Sequence, residues 1–320
     1  MKAKKLLKSV LIIMLAIVAA TSATACSSDG SNIGDDKETE KQLDIYIVSG
    51  QSNAVGFSRW GDSRKEYKDV YYLGYGEGTE PLDYAFMINV QSGLGVNGNC
   101  FGPEMGMAAY LSEQYKNDET TDVAIVKFGW GGRTLWDYFL SYTSVNENLG
   151  SKTNCRDFCD EDDAMYCAPG YWYLIKTVRK AVQKATGMGY TKVNFVSVCW
   201  MQGENDALLP RSQKVYDRLL KNFMKDLRFD LNAENLPFII GQIKIPQYDS
   251  QGNISQDNVD GQAAIIAQQK KVVTEDDYAT LVDTSDLTME EPNNIWHYDK
   301  ESMLTLGTRF AAESYKFKNK

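Results

Sequence analysis

The chain has a single histidine, His297, so chemistry that needs an imidazole has one base to use. Zinc sites of the HExxH type need two histidines on one helix face, and other His-rich zinc sites need two or three, so both are excluded. One histidine is enough to activate a serine, because a serine hydroxyl is a weak nucleophile until a neighbouring base takes its proton. No Ser-x-x-Lys sequence occurs, so the usual local signature of a Ser-Lys dyad is missing. These residue types favour a serine nucleophile with His297 as its base.

Polar clusters follow the runs that we predict to be strands. The clusters lie at residues 49–54, 129–134, 199–206 and 293–299. Taken singly, each has an ordinary structural explanation, because Gly-rich turns end strands, serines cap helices and a lone histidine is commonly a core or surface residue. Four such clusters on one predicted edge of a sheet are better explained by a catalytic site.

Within those clusters, the residue types suggest roles for particular side chains. Ser52 can present its hydroxyl and its backbone N–H to one carbonyl oxygen, since Gly50 permits a tight turn before it. Gly131 or Gly132 can bring a second N–H close, and the side chain of Gln202 offers a third donor. Loss of one such donor typically costs about 10²-fold or more in rate, so the three together predict an oxyanion hole.

Apolar, β-branched runs alternate with helical patterns along the chain. The predicted strands are residues 43–48, 123–128, 193–198, 238–243 and 280–282, and the predicted helices are residues 103–115, 171–186, 210–227, 261–273 and 301–316. This alternation predicts an α/β fold, with a parallel sheet covered by helices on both faces. Ligands in such folds bind beyond the carboxyl ends of the strands, which is where the polar clusters lie.

Several motifs resemble those of SGNH-type hydrolases, and more narrowly those of the sialate O-acetylesterase-like group that includes acetylxylan esterases. They are Gly50-Gln51-Ser52-Asn53, Phe101-Gly102-Pro103-Glu104, Gly131-Gly132, Gln202-Gly203-Glu204-Asn205-Asp206 and His297-Tyr298-Asp299, in order from about Leu43 to the C-terminus. The resemblance implies a three-layer α/β/α sandwich with a mainly parallel, flavodoxin-like sheet. It also implies removal of O-acetyl groups from a carbohydrate, such as acetylated xylan or O-acetyl sialic acid, with no cofactor.

The same resemblance implies roles for the matched residues. Ser52 is the expected nucleophile and His297 the expected base. The expected oxyanion donors are the N–H group of Ser52, Gly132 and Gln202.

The acid that orients the histidine is the one departure from the pattern. Many SGNH hydrolases place an aspartate three residues before the histidine, whereas this chain has Asn294 there. Glu204 is the first candidate for the missing acid, and a buried strut that ties loops together is an equal alternative for it. Weaker candidates for the acid are Asp206, Asp286, Glu290 and Glu291.

Amide, aromatic and basic side chains in the clusters are the predicted substrate contacts. They are Gln51, Asn53, Trp130, Arg133 and Trp296. The two tryptophans offer flat faces for a sugar ring. Arg133, like Arg59, can either bind a substrate carboxylate or pair with the abundant surface acids.

The N-terminal segment is typical of an export signal. Residues 1–25 carry four lysines, an apolar run and small residues that lead to Cys26. This pattern resembles the lipobox of bacterial lipoproteins and predicts an exported protein whose Cys26 is lipidated at the cell surface. Cleavage to a free secreted protein and a retained anchor helix are the alternatives. Residues 26–42 are polar and predict a flexible tether before a domain at 43–320.

Five cysteines remain besides Cys26, and an odd number outside the cytoplasm leaves one thiol unpaired. Cys199 lies in an apolar run and is predicted to be a buried free thiol. The other four, Cys100, Cys155, Cys159 and Cys167, are predicted to form two disulfides, with the pairing left open. Three of these four lie in an acidic insertion near residues 141–170. A zinc clip or a calcium loop is the less favoured alternative there, and no metal is predicted.

The excess of acidic residues limits the partners of the chain. It has 34 Lys plus Arg against 43 Asp plus Glu, a formal net charge of −9. Nucleic acid is not an expected partner, because phosphate binding needs a clustered cationic face. Membrane contact is expected only through the N-terminal lipid. The alternative from another functional class is a carbohydrate-binding lipoprotein on a decayed hydrolase scaffold, and a further enzymatic alternative is a peptidoglycan or small-ester deacetylase.

Overall fold

The computed structural model describes residues 40–61, 65–75, 87–152, 156–157, 166–249, 251–290 and 294–320. The predicted signal at 1–25, the predicted lipidation site Cys26 and most of the predicted tether lie outside these residues. Cys155, Cys159 and Glu291 lie outside them as well. Gln42, which we assigned to the end of the tether, is the first residue of a strand.

Strands and helices alternate along the described residues. The strands are β1 (Gln42–Gly50), β2 (Ser58–Arg59), β3 (Glu66–Tyr75), β4 (Ile88–Gln91), β5 (Cys100–Phe101), β6 (Thr121–Gly129), β7 (Arg156–Asp157), β8 (Tyr166–Cys167), β9 (Lys192–Met201), β10 (Phe238–Gly241), β11 (Ala279–Val282), β12 (Met289–Glu290) and β13 (Asn294–Tyr298). The helices are α1 (Ser52–Val55), α2 (Glu104–Tyr115), α3 (Tyr142–Asn146), α4 (Pro169–Gly187), α5 (Glu204–Ala207), α6 (Tyr216–Asp230), α7 (Gln256–Thr274) and α8 (Lys300–Lys318).

The central sheet has seven strands in the order β11-β10-β9-β1-β6-β3-β4. All neighbouring strands are parallel except β3 and β4. The five strands predicted from apolar runs are confirmed as β1, β6, β9, β10 and β11. The apolar pattern does not reveal β3, because this strand lies near the edge of the sheet and most of its first half is exposed.

Helices cover both faces of the sheet. Leu43, Ile45 and Ile47 of β1 pack into one core, together with buried side chains of α4, α6 and α7. Tyr46 and Val48 point to the opposite core, which includes buried side chains of α2 and α8. A strand that is buried on both faces reads as a nearly continuous apolar run, which explains why β1 is evident in the sequence. The predicted three-layer α/β/α sandwich is confirmed.

The predicted helices are confirmed as α2, α4, α6, α7 and α8, with shifted ends. Residues 210–215, which we expected to begin the third helix, form turns, and α6 begins at Tyr216. The fourth helix begins earlier than expected, because Ser255 caps it by accepting a hydrogen bond from the backbone N–H of Asn258. No helix among the described residues combines the length and apolar composition that a membrane span requires.

The strand order creates a crevice at the carboxyl end of β1. The chain goes from β1 to β3 and β6 on one side of it, and then to β9, β10 and β11 on the other side. Open α/β sheets bind ligands at such a switch point, where the loops after neighbouring strands diverge. Three of the four polar clusters follow β1, β6 and β9, which are adjacent in the sheet. The fourth, which contains His297, forms β13 of a separate two-stranded sheet with β12.

The cysteines only partly follow the prediction. Cys199 is a buried free thiol, as predicted, and burial raises its pKa to about 12. Cys100 is also a buried free thiol, so its predicted disulfide is wrong. Its neighbour Phe101 belongs to the core on one face of the sheet, whereas Cys167 belongs to the core on the other face. The sheet therefore separates Cys100 from the cysteine of the insertion that the structure describes.

Candidate active site

Ser52 is the first residue of α1, in the turn that follows the central strand β1. The turn needs glycine at position 50, because Gly50 has a φ of 140° and a Cβ there would lie 1.9 Å from the carbonyl oxygen of Met201. The backbone N–H of Gln51 donates to Met201 O at 2.9 Å, and that of Trp130 donates to Gly50 O at 3.1 Å. Main-chain contacts with both neighbouring strands thus fix the position of Ser52.

His297 lies in β13, and its ring is held on two sides. The Nδ1 atom hydrogen-bonds to Asn294 Oδ1, and the ring stacks on Phe57 with a centroid distance of 4.3 Å and an interplanar angle of 13°. An amide oxygen only accepts hydrogen bonds, so Nδ1 carries the proton and Nε2 keeps its lone pair. Burial lowers the pKa of His297 to about 4. The imidazole is therefore neutral at neutral pH and able to accept a proton.

A cavity of about 340 Å³ brings the two residues together. It is lined by Gln51, Ser52, Phe57, Gly131, Gly132, Glu204, Asn205, Leu208, Trp296 and His297. No hydrogen bond joins Ser52 Oγ directly to His297 within the described structure, and contacts of this kind commonly tighten only when substrate binds. The cavity thus contains a candidate nucleophile and the sole imidazole of the chain.

Two backbone N–H groups in the cavity are available as hydrogen-bond donors. Those of Ser52 and Gly132 donate to no acceptor among the described residues. Gly132 has a φ of 64°, in the left-handed region that favours glycine, and this conformation sets the direction of the loop. Ser52 and Gly132 both line the cavity, so the predicted oxyanion hole stays a prediction with two donors in place for it.

Gln202, the third predicted donor, does not line this cavity. Its side chain is fully buried, and Nε2 donates to Arg133 O at 3.1 Å and to a carboxylate oxygen of Asp206. Its Oε1 accepts from the Tyr216 hydroxyl at 3.2 Å. The amide of Gln202 already has partners, so an oxyanion role for it stays a prediction that these contacts do not favour.

Asn205 is a cavity residue to which sequence reasoning gave no role. Its Oδ1 accepts from Gln51 Nε2 at 3.0 Å, and its backbone N–H donates to Gln51 Oε1 at 3.2 Å. This pairing holds the amide so that Nδ2 is left without an acceptor among the described residues. Asn205 lies inside the Gln202–Asp206 motif, but Gln202 in the same motif also carries a side-chain amide. The residue type therefore did not single out Asn205 as a donor. Phe57 and Leu208 are the other missed lining residues, and isolated apolar residues gave no signal.

Glu204 lines the cavity but contacts Asn53 rather than His297. Its Oε1 accepts from Asn53 Nδ2 at 3.0 Å, and its Oε2 is buried without a hydrogen-bond partner among the described residues. Burial raises the pKa of Glu204 to about 7. Since Asn294 occupies Nδ1 of His297, the role of Glu204 as the orienting acid stays a prediction.

The other candidate acids have separate tasks. Asp206 is fully buried and accepts from the backbone N–H of Leu135 at 2.9 Å and that of Trp136 at 3.4 Å, so it ties the loop after β6 to the loop after β9. Burial raises the pKa of Asp206 to about 6. Asp286 pairs with Arg309 at 2.6 Å. Glu290 is linked to His297 through Asn294: its Oε2 accepts from Asn294 Nδ2 at 3.4 Å, and Asn294 Oδ1 contacts His297 Nδ1.

The predicted substrate contacts divide into two groups. Gln51 and Trp296 line the cavity, and Trp296 is about one-third exposed. Asn53 is almost fully buried and does not line it. Trp130 and Arg133 also lie away from its lining, since both pack against the ring of Tyr138. The structure thus brings only part of the predicted substrate surface to the cavity.

A buried ion pair supports the end of α1. The Nζ atom of Lys127 on β6 donates to Val55 O at 2.7 Å, Leu94 O at 2.8 Å and Glu104 Oε2 at 2.8 Å. The second oxygen of Glu104 accepts from the backbone N–H of Gly102 at 2.8 Å. Burial lowers the pKa of Lys127, and the carboxylate of Glu104 opposes this shift. The motif at residues 101–104 therefore serves as a support and not as a source of catalytic groups.

Among the described residues, no group of three or more His, Cys, Asp or Glu side chains is arranged so that it could hold a metal ion.

Comparisons with known proteins place these features in a family. A family profile described as carbohydrate esterase, sialic acid-specific acetylesterase, matches residues 42–316. The fold is similar to that of a protein from Arabidopsis thaliana, with a TM-score of 0.59, 17% identity and coverage of 85% of this chain and 98% of that one. It is also similar to the crystal structure of NanS, with a TM-score of 0.60, 14% identity and coverage of 88% of this chain and 99% of that one. No curated protein sequence matches the chain significantly.

The two structural likenesses show a shared fold, and the profile match shows more, because it spans nearly all of the described domain. The predicted resemblance is thereby confirmed, and with it the prediction of a carboxylic ester hydrolase. The chain belongs to the carbohydrate esterase family of sialic acid-specific acetylesterases.

Proposed function

We propose that this chain removes O-acetyl groups from carbohydrates by a Ser-His mechanism, with Ser52 as nucleophile and His297 as general base. The observation that carries the proposal is that the only histidine of the chain lines the same cavity as Ser52. Its protonated Nδ1 and free Nε2 suit the acceptance of a proton from a serine hydroxyl. Because burial lowers its pKa to about 4, His297 stays neutral at mildly acidic pH, where an exposed histidine would be protonated.

The proposed reaction has two halves. Ser52 Oγ attacks the acetyl carbonyl carbon while His297 Nε2 takes the hydroxyl proton, and a tetrahedral oxyanion forms. The bond to the sugar oxygen then breaks, and His297 returns the proton to that oxygen, so the sugar leaves as an alcohol. Water next attacks the acetyl carbon of the acetyl-serine while His297 Nε2 takes a proton from it. The bond to Ser52 Oγ then breaks, His297 returns the proton to Oγ, and the acetic acid that leaves ionises to acetate.

Two or three donors are available for the oxyanion. The backbone N–H groups of Ser52 and Gly132 are free and border the cavity. The Nδ2 of Asn205 is the best-placed side-chain donor, because Gln51 fixes the amide by its other atoms. Donors that are already oriented cost no reorganisation when the charge develops, which is why such groups contribute strongly to catalysis.

The cavity suits a small acyl group on a sugar. Phe57, Leu208 and Trp296 give it an apolar side, and Trp296 is exposed enough to contact the face of a sugar ring. Acetylated xylan and O-acetyl sialic acid are the two proposed substrates. Arg59 does not line this cavity, and its Nε lies 3.8 Å from Oε1 of Glu290, so pairing with a surface acid is its observed contact.

Acetate release tests the function. Wild type and Ser52→Ala are compared on acetylated xylan, O-acetyl sialic acid and p-nitrophenyl acetate, with circular dichroism to verify folding. We expect release from at least one acetylated sugar by wild type, and a loss of about 10⁴-fold or more in Ser52→Ala. Glycan binding without any acetate release would instead support the carbohydrate-binding lipoprotein, and cleavage by Ser52→Ala at the wild-type rate would exclude the serine mechanism.

We also propose, from the sequence pattern, that the protein is exported and anchored to a bacterial membrane by a lipid on Cys26. The support is the order of basic, apolar and small residues before Cys26. Mass spectrometry of the mature N-terminus in wild type and Cys26→Ala tests this. A diacylated N-terminal cysteine is expected, and a mature chain without lipid would contradict it.

A further inference from the structure

The side chain of Asn53 touches both the candidate acid and the strand that carries the histidine. Its Nδ2 donates to Glu204 Oε1 at 3.0 Å and to the carbonyl oxygen of Trp296 at 3.3 Å. Its Oδ1 accepts from the backbone N–H of Tyr298 at 3.3 Å. Trp296 and Tyr298 are the residues directly before and after His297, so one buried amide holds the main chain on both sides of the histidine.

The strand of His297 depends on such contacts. β13 lies outside the central sheet, and among the described residues its one strand partner is the two-residue strand β12. Besides Asn53, the hydroxyl of Ser58 donates to Tyr298 O at 2.6 Å. The side chains of Asn53 in α1 and Ser58 in β2 therefore hold the main chain of β13, as a neighbouring strand does for strands of the central sheet.

Donor and acceptor types allow the Asn53 amide only one orientation. The carboxylate of Glu204 and the carbonyl of Trp296 accept hydrogen bonds, so both require the NH₂ group. The backbone N–H of Tyr298 donates, so it requires the carbonyl oxygen. If the amide rotated by 180°, all three contacts would be lost. Glu204 thus holds the amide in the orientation that grips the histidine strand.

We propose that Asn53 and Glu204 form a positioning clasp that holds His297 against the nucleophile. The clasp rests on the proposed function, and it assigns Glu204 to the orientation of Asn53 rather than to Nδ1 of His297. Asn53 directly follows Ser52 in α1, so the helix that carries the nucleophile is tied to the strand that carries the base. Any shift of one is then passed to the other.

The first test replaces Asn53 by alanine. Misplacement of a catalytic group by about 1 Å can cost about 10²-fold, so Asn53→Ala should lower kcat by about that factor. Because Asn53 is buried away from the cavity lining, KM should change by less than about threefold. Asn194→Ala is the matched control, since Asn194 Nδ2 also donates to a carboxylate, Asp44, at 2.8 Å, but on the part of β9 remote from the cavity. This control should leave kcat within about twofold of wild type.

The second test separates a clasp from a triad acid. Glutamine can still offer an oxygen to the Asn53 amide, whereas leucine cannot, so Glu204→Gln should keep at least about 10-fold more activity than Glu204→Leu. In Asn53→Asp the new carboxylate faces Glu204, and both kcat and stability should fall. Combining Asn53→Asp with Glu204→Gln restores one donor between them and should recover part of the kcat. Equal loss in Glu204→Gln and Glu204→Leu, with no recovery in the double variant, would overturn the clasp.

The single histidine gives a readout that does not depend on esterase activity. NMR signals of the imidazole belong to His297 alone, so its titration can be followed in every folded variant. Asn53→Ala should move the pKa of His297 upward towards its ordinary value, because a released ring becomes more hydrated. Asn194→Ala should not change it. If His297 titrates as in wild type when Asn53 is replaced, the clasp is refuted. If wild type releases no acetate but the histidine does respond, the proposed function fails and the clasp stands.

Discussion

Ser52 and His297 share one cavity, but they are held there by different parts of the molecule. Ser52 follows the central strand of a seven-stranded sheet, and main-chain hydrogen bonds from Gln51 and Trp130 tie its turn to both flanking strands. His297 lies in a short hairpin outside that sheet, where Asn294, Phe57 and Asn53 contact it or its neighbours through side chains. The side of the proposed nucleophile Ser52 (the nucleophile side) is thus sensitive to changes of the backbone, whereas the side of the proposed base His297 (the base side) is sensitive to changes of single side chains.

That difference teaches how a sheet fold can build a site from unequal parts. Main-chain contacts persist when surrounding side chains change, so many sequences that keep Gly50 can support the Ser52 turn. The β12–β13 hairpin lacks this support. Its geometry depends instead on the side chains of Asn53, Phe57, Ser58 and Asn294. Apart from Ser52 and His297 themselves, substitutions around the histidine should therefore alter rate before stability, and those in the turn before the serine should alter stability first.

The largest effect should come from removing the proposed base, His297. His297→Ala leaves no other imidazole, so kcat should fall by about 10⁴-fold or more while the far-ultraviolet circular dichroism spectrum is unchanged. Stopped-flow acetate release, compared with Ser52→Ala, measures it. If more than about one-tenth of the activity survives, another group must act as the base.

A substitution at Gly50, which shapes the turn before Ser52, should lower the stability of the domain. In Gly50→Ala, the new methyl group would lie 1.9 Å from Met201 O, in main chain that cannot move aside. We expect a loss of about 3–5 kcal/mol in the free energy of unfolding, measured with urea. Gly132→Ala is the matched control, because a Cβ there meets nothing within 4 Å. It should cost only about 1–2 kcal/mol, from the left-handed backbone alone. Equal costs for the two variants would contradict the close-approach argument.

Substitutions at Asn294, which contacts Nδ1 of His297, should change the pH dependence of the reaction. With the pKa of His297 at about 4, the acidic limb of kcat/KM should lie near that value, well below the ordinary histidine pKa of 6.5. Asn294→Asp places a carboxylate beside Nδ1, which stabilises the imidazolium. The acidic limb of kcat/KM should therefore move to higher pH, and kcat should rise. Asn294→Ala removes the partner and should lower kcat by about 10²-fold. An unchanged acidic limb in Asn294→Asp would show that the contact at Nδ1 is lost in solution.

The smallest effect concerns the stability of the clasp. The pKa of Glu204 is about 7 in the folded chain against an ordinary value of 4.5, so the folded state binds more protons between these pH values. Stability from this group therefore falls as the pH rises through that window. Glu204→Gln does not titrate, so its Tm minus that of wild type should increase by a few degrees between pH 5 and pH 8. A constant difference across this range would contradict the raised pKa.

The sequence predicts the parts of the molecule that follow regular patterns. The strands buried on both faces and the long helices have clear apolar periodicity, and the motifs mark the ends of β1, β6 and β9. The partly exposed β3 and the hairpin of His297 were beyond this reasoning, because their positions depend on pairing between distant residues. The same limit applies to the amides of the site. Sequence reasoning cannot tell which of Gln202 and Asn205 faces the cavity, since only their hydrogen-bond partners distinguish them.

The ion pair between Lys127 and Glu104 restricts how this domain can evolve. Loss of either partner leaves a buried charge uncompensated and costs about 3–5 kcal/mol. Joint replacement by apolar residues removes both charges but leaves the carbonyl groups of Val55 and Leu94 and the N–H of Gly102 without these partners. Lys127 also holds the last residue of α1, so its ammonium group serves the nucleophile helix as well as the core. Single substitutions at either position should therefore be selected against, and paired replacements must also supply polar groups for the backbone atoms that lose a partner. In evolution, the two residues should change only together with the loops that they hold.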